Sequence, residues 1–330
     1  MVFGRRIRFP MPSSRWCAAL LLLATVAGAL PALAAAAPLA VLAAVKGRVQ
    51  VVRGSNPAQP AGFGMALEQG DQVVVPAAGA ATVFFNDGNV IELSEKSRIT
   101  VGGKVPARPR VGPGSDLSGE VYSNVSRFVT GGSAQTGLVA MATVRGSDTS
   151  APILLEPRNT GLLDSRPSFA WRAVEGATRY RVSVSGENGE LWNREVDGLA
   201  LDYPANAESL AAGGAYLWEV QALSDNGLLR KEGSSFEILK TEDAAAVRSN
   251  LDRIHESAGG DTPASHFLAG SYLFGRRIYD DAARHFQALA RLSPEASAPH
   301  EALGKVYRDQ GLMDMAAAEF QQALALTRQP

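Results

Sequence analysis

The sequence predicts a multidomain chain, β first and α last: a small all-β domain, then a β-sandwich, then α-helical hairpins at the C-terminus. Three observations carry this. Short β-rich runs split by Gly, Pro and Asn fill the first third. Longer alternating runs separated by Asn-Gly turns fill the middle. Residues 241–330 carry apolar and small residues at helical spacing, and part of that pattern returns after 34 residues. The length of 330 residues, with 46% hydrophobic and 20% charged, fits two or three globular domains.

Residues 1–34 read as a leader. Arg5, Arg6, Arg8 and Arg15 give a basic start without an acid, and an apolar run follows from Ala18 to Leu30. Ala32-Leu33-Ala34 has the form of an A-x-A cleavage site, which completes a secretory signal peptide. A membrane anchor is disfavoured, because the apolar core is shorter than the roughly 20 residues a span needs and Pro31 ends it. Arg8 stands where the twin-arginine pattern wants an apolar residue, so the general export route is expected. Cys17 is the single cysteine. It precedes the apolar run, is misplaced for lipid attachment, and leaves with the leader. The mature chain is therefore expected in a periplasm, without thiol, disulfide or cysteine metal ligand. The whole chain carries net charge −1; without the leader arginines it holds 28 basic and 33 acidic residues. That balance argues against nucleic acid or an anionic membrane as partner. No later segment is expected to be an integral membrane span.

The first β region covers 41–148. AVKGRVQVV, DQVVV, ATVFF, NVIEL and RITV are its strand-like runs. Between two of them, FNDGNVIE looks at first like part of a calcium loop. With Gly88 at loop position 6, Asp87 fits position 5, but Phe85, Val83 and Ser94 fall where further oxygen ligands belong. Asp-Gly or Gly-Asn between alternating apolar runs is instead a hairpin signal, because Gly and Asn accept positive φ. GGKVPARPRVGPGSD, from Gly102, has no apolar period and reads as loop. GEVYSNV, SRFVT and VAMATVRGSD then read as resumed strands. The ordered set Gly47-x-Val49, Leu67-x-x-Gly70-Asp71-x-Val73, Gly79-x-Ala81-x-Val83-x-Phe85, Asp87-Gly88, Ile91-x-Leu93 and Ser97-x-Ile99 resembles the FecR domain family. Gly119-x-Val121 and Ala142-x-Val144-Arg145-Gly146 look like that family's closing strands. The resemblance implies a periplasmic β module, which in iron-signalling members relays a signal through a membrane helix to a cytoplasmic partner. This chain offers no such helix, so the fold is what carries over.

The second β region covers 151–239. Phe169-x-Trp171, Tyr180-x-Val182-x-Val184 and Tyr216-x-Trp218-x-Val220-x-Ala222 alternate, and Glu187-Asn-Gly-Glu190 and Asp225-Asn-Gly227 turn the chain. This resembles a fibronectin type III or immunoglobulin-like module. The resemblance implies that Trp171 is a core residue and that Tyr216, spaced from Leu210, is a tyrosine corner. Trp192 has weaker support as core and is the candidate surface aromatic.

The helical region covers 241–330. Ala244, Val247, Leu251 and Ile254 give one helix, with Thr241 as its N-cap and Gly259-Gly260 as its stop. Gly270 and Gly304, Leu273 and Tyr307, Ala282 and Ala316, Phe286 and Phe320, and Leu292 and Leu326 are each 34 apart. With Leu303-Gly304-x-x-Tyr307 and Pro294, this resembles two tetratricopeptide repeats, 263–296 and 297–330. His266 and His300 stand where that family usually has an aromatic. The glycines and alanines would let helices approach closely, with Phe286 and Phe320 filling the groove between units. Stacked repeats generally need three units and a polar cap. The first helix could cover the front, which leaves the rear face for a partner, a second copy or the β domains.

Catalytic signatures are missing from the sequence. There is no HExxH, GxSxG, P-loop or GxGxxG, and no cofactor is implied. Asp280-Asp281 opens a helix, where acids suit the dipole. The expectation is a non-catalytic protein-binding or scaffold protein of the periplasm, with a possible link to envelope signalling. Its repeats would take a peptide or protein segment on Phe267, Ser271, Phe274, Arg276 and Arg277 of the first unit and Glu301, Lys305 and Arg308 of the second. The alternative is glycan or cell-wall binding through Trp192 and the basic loop of Lys104, Arg108 and Arg110. A hydrolase site crossing domains is a third reading without a supporting motif.

Overall fold

A computed structural model of the chain describes residues 38–85, 90–102, 119–130 and 153–328. The expected leader, the expected turn at 86–89, the basic loop and the VAMATVRGSD run lie outside them. The layout is β then α.

The first β region forms two four-stranded sheets. One has the order β4 (Ala66–Leu67), β1 (Ala40–Lys46), β6 (Ala80–Phe85), β7 (Val90–Leu93). The other runs β3 (Gln59–Pro60), β2 (Gln50–Val52), β5 (Gln72–Val75), β8 (Ser97–Thr100). Period-2 alternation builds the core between them: in β5, Val73 and Val75 are buried while Gln72 and Val74 are half-buried. Leu42, Val51, Leu67, Val83 and Ile99 fill the same core. β6 and β7 pair antiparallel through Phe84↔Val90, as the flanks of a hairpin must. Asp71 is buried beside Arg53 at 3.2 Å and accepts the Glu68 N–H at 2.9 Å, which pins the turn before β5.

The run GEVYSNVSRFVT is not strand. It is the helix α1, Gly119–Thr130. Val121, Asn124, Val125 and Phe128 are buried while Gly119, Glu120, Ser123 and Arg127 are exposed, so one face is buried at i, i+3, i+4 and i+7, apolar except at Asn124. β-branched and aromatic residues suggested strand locally; a tertiary partner with a helical footprint overrides that preference.

The second β region is a sandwich. Its larger sheet has the order β10 (Thr160–Leu162), β16 (Gly227–Ile238), β15 (Ala215–Ser224), β12 (Arg179–Gly186), β13 (Gly189–Val196). Its smaller sheet has the order β14 (Ala200–Asp202), β11 (Ser168–Trp171), β9 (Leu154–Glu156). Trp171 and Trp218 are buried at the centre with Phe169, Val182 and Val220. The Tyr216 hydroxyl takes the Ala211 N–H at 2.8 Å, the backbone bond of a tyrosine corner.

The helices follow as α2 (Thr241–Ser257), α3 (Pro263–Gly275), α4 (Tyr279–Leu292), α5 (Ser297–Gln310) and α6 (Met313–Thr327). The N-cap of α2 is Lys240 and not Thr241, with no side-chain cap bond. Gly259 and Gly260 at positive φ stop that helix. Thr262 and Ser265 form a capping box on α3. α3 pairs with α4 and α5 with α6. A Cβ on Gly270 would stand 2.7 Å from the Phe286 ring, and one on Gly304 2.6 Å from the Phe320 ring. Each phenylalanine therefore lies on the glycine of its own hairpin rather than in the groove between units.

These regions share a core. The second face of the β4-β1-β6-β7 sheet, with Val41, Phe84 and Val90, joins one cluster with α1 and the helices. The sandwich docks on the helices by polar contacts. Thr160 Oγ1 accepts the Tyr279 N–H at 2.8 Å, and the Gly161 N–H reaches the Arg277 carbonyl at 2.9 Å. Arg158 donates to the Gln310 carbonyl at 2.8 Å, and Arg172 pairs with Asp314 at 2.7 Å. Among the described residues, no helix is long and apolar enough to cross a membrane.

Candidate functional site

α1 covers one face of α3 and touches α4 through Phe286 and α5 through Lys305. Phe128 stacks on Phe286 at 5.3 Å, and meets Phe274 at 5.0 Å and Phe267 at 6.4 Å edge-on. The Lys305 ammonium sits 4.6 Å from the centre of the Phe128 ring and reaches the Phe128 carbonyl at 3.5 Å. That places a cation over an aromatic face and at a helix C-terminus, both favourable positions. Burial holds the Lys305 ammonium pKa below its usual range, with Glu301 opposing. At the other end, Glu120 of α1 pairs with Arg276 at 3.1 Å, and Arg276 also approaches Asp243 of α2 at 3.7 Å. Burying Val121, Val125 and Phe128 contributes about 1.5–3 kcal/mol each.

Shape fixes the register of α1. Asn124 lies in its buried stripe, donates back to the Glu120 carbonyl at 3.1 Å and is met by Arg127 at 3.5 Å. It sits where a Cβ on Gly275 would be, 2.4 Å from the Asn124 carbonyl oxygen. Only glycine at the end of α3 admits α1 this closely. On its other side Tyr122 packs on Phe84 at 5.8 Å and donates to the Pro38 carbonyl.

Of the eight residues expected to take a partner, Phe267, Phe274, Arg276 and Lys305 converge on α1. Ser271 is fully buried and cannot meet an external ligand. It faces inward because α3 is covered on nearly every side. Arg277 bends away at φ 61° and gives its carbonyl to the sandwich. Arg308 pairs with its neighbour Asp309 at 2.9 Å. Glu301 accepts from Ser297 at 3.4 Å. It lines a cleft of about 960 Å³ between the Lys46 end of the sheet and the 292–298 linker. Trp192 is not a free surface platform. Its position opposite Val184 turns it inward, half-buried and edge-on to Phe169 at 5.9 Å and Tyr203 at 5.7 Å. The sequence reading missed α1 as the groove's occupant; the 121/124/125/128 stripe was the signal for it. On α6, Met313 and Leu324 are exposed.

Titratable groups inside the helices are paired side chain to side chain. His266 Nδ1 and His285 Nδ1 are 3.0 Å apart with ring centroids at 5.2 Å, so the rings meet nearly head-on. His266 Nε2 lies 2.7 Å from Asp261. A neutral His266 that donates to Asp261 accepts the His285 Nδ1–H, and one proton bridges the rings. Burial first, then His266, pushes His285 down to about 4. The equivalent pair of the second hairpin is His300 with Glu319 at 2.7 Å. Asp280 is buried against Gln310 at 2.6 Å, and burial raises it to about 8, against the simple helix-start reading. Among the described residues, no group of three His, Cys, Asp or Glu could hold a metal.

No protein-family model matches the chain, and no curated protein does. The FecR and tetratricopeptide resemblances rest on the residues quoted for them. Among solved structures, the chain is similar to the fn3 domain of human collagen alpha-1(XX) chain. That likeness has 19% identity over 29% of this chain and 93% of the other, at a TM-score of 0.23. The FN1-FN3 domains of chicken CNTN1 match at 11% identity over 58% of this chain and 56% of theirs, at 0.20. A multi-domain immunophilin from Arabidopsis thaliana matches at 10% over 51% of this chain and 97% of its own, at 0.20. Likenesses at this level carry no functional argument.

Proposed function

We propose that the chain is a non-catalytic scaffold of the periplasm, whose helical hairpins bind a peptide or protein segment as an amphipathic helix. The supporting observation is α1 itself. Phe267, Phe274, Arg276 and Lys305 already grip a helix by an aromatic anchor, a cation at its C-terminus and an ion pair at its N-terminus. Helix-in-groove recognition uses this i, i+4, i+7 anchoring. The leader supports export. The test is capture from a periplasmic extract with a Phe128→Ala chain, whose own α1 is loosened, beside the same chain carrying Arg276→Glu and Lys305→Glu. A partner held by the first and lost by the second is the expected result. Retention by both moves the function to the β regions. Turnover of ester, peptide or glycoside substrates by the purified chain would contradict a non-catalytic role.

A further inference from the structure

The helix that fills this face belongs to the chain, and it has the construction of a ligand. It is 12 residues long, at the short end for a helix that persists alone in water, so ordering it offsets much of what its burial contributes. Its outer face, with Glu120, Ser123 and Arg127, is open to solvent. Its inner face is one stripe that ends in Phe128. Two groove residues meet partners of opposite character in α1: Arg276 pairs with Glu120, and Lys305 meets the ring and carbonyl of Phe128.

We propose that α1 is a built-in ligand of the groove, and that the hairpins engage an external helix of the same pattern only after α1 leaves. This rests on the helix-binding reading above. The external helix would carry an acid, then apolar residues at i, i+4 and i+7, the last aromatic, with a small polar residue at i+3 against Gly275. A helix of the same chain competes intramolecularly, so a free helix of equal fit must first outcompete it.

The probe is a fluorescent peptide copying residues 119–130, titrated by anisotropy into the full chain and into two variants that change only residues of α1. Phe128→Ala removes the anchor and leaves the groove untouched. Glu120→Lys is a surface change that repels Arg276, and it keeps the test open if Phe128→Ala does not fold. The expected result is weak binding by the native chain and binding at least about tenfold tighter by both variants, since each lowers the tether's hold. Arg276→Glu added to either variant should lower that affinity again. Equal binding by native chain and folded variants would overturn the gating by α1 and leave the helix-binding reading standing. No binding by any folded variant would overturn both.

Discussion

The sandwich and the first β region are both two-sheet folds, yet they close differently. The sandwich buries Trp171, Trp218, Phe169 and Phe236 among its own strands. The first region closes one core the same way, then turns a second sheet face, with Val41, Phe84 and Val90, toward α1 and the helices. Its outer surface is thus the inner wall of another core. A self-contained core leaves a local signature, while a shared one depends on residues far along the chain. Phe128 reaches Phe274 and Phe286 across that distance, and its local period does not tell which residues it meets.

The largest test of this difference is a pair of truncations in the two cores. Trp218→Ala and Phe128→Ala should each cost about 3–5 kcal/mol. Hydrogen exchange should show the loss confined to β11–β16 for Trp218→Ala, and shared by β1, β6 and α3 for Phe128→Ala. A loss confined to α1 in the second variant would break the claim of a shared core.

The next effect is on pH. His285 sits near 4 when folded, against 6.5 ordinarily, so the unfolded chain takes up the proton first. Stability from this group is full above about pH 6.5 and is lost as pH falls toward 4, by at most about 3 kcal/mol. His266, Asp261 and Arg284 are the charged or titratable groups acting on it. Urea midpoints at pH 7 and pH 4.5 should separate further for the native chain than for His285→Gln; equal separations would remove the role.

Smaller still is the glycine contrast. Gly270→Ala and Gly304→Ala meet rings at nearly equal distances. Phe286 is fully buried and stacked on Phe128, whereas Phe320 is half-buried and able to shift. Gly270→Ala should therefore cost about 1–3 kcal/mol and Gly304→Ala less, read from thermal midpoints. The smallest effect expected is Lys305→Met, which removes the cation over Phe128 at a cost of about 1 kcal/mol and leaves the sandwich unchanged.

Legibility followed the same division. Alternation and turn residues marked β5, β6, β12 and β15, and the spacing of Leu210 to Tyr216 marked a corner that the Ala211 backbone completes. The 34-residue recurrence marked both hairpins. α1 was misread because Val, Tyr and Phe favour strand locally and Asn124 interrupts its apolar stripe. Of the residues the sequence singled out, Phe267, Phe274, Arg276 and Lys305 meet α1. That the face is filled by the chain's own helix depends on tertiary packing, which a local pattern does not encode.

The most direct measurement is hydrogen exchange of residues 119–130 in the full native chain, followed by mass spectrometry. Protection of α1 well above that of a free peptide, but lost at lower denaturant than in β1 and α3, is the expected result for a seated and separable helix. Exchange at the free-peptide rate would show that α1 does not hold the groove. Loss only together with β1 and α3 would show that it is inseparable core.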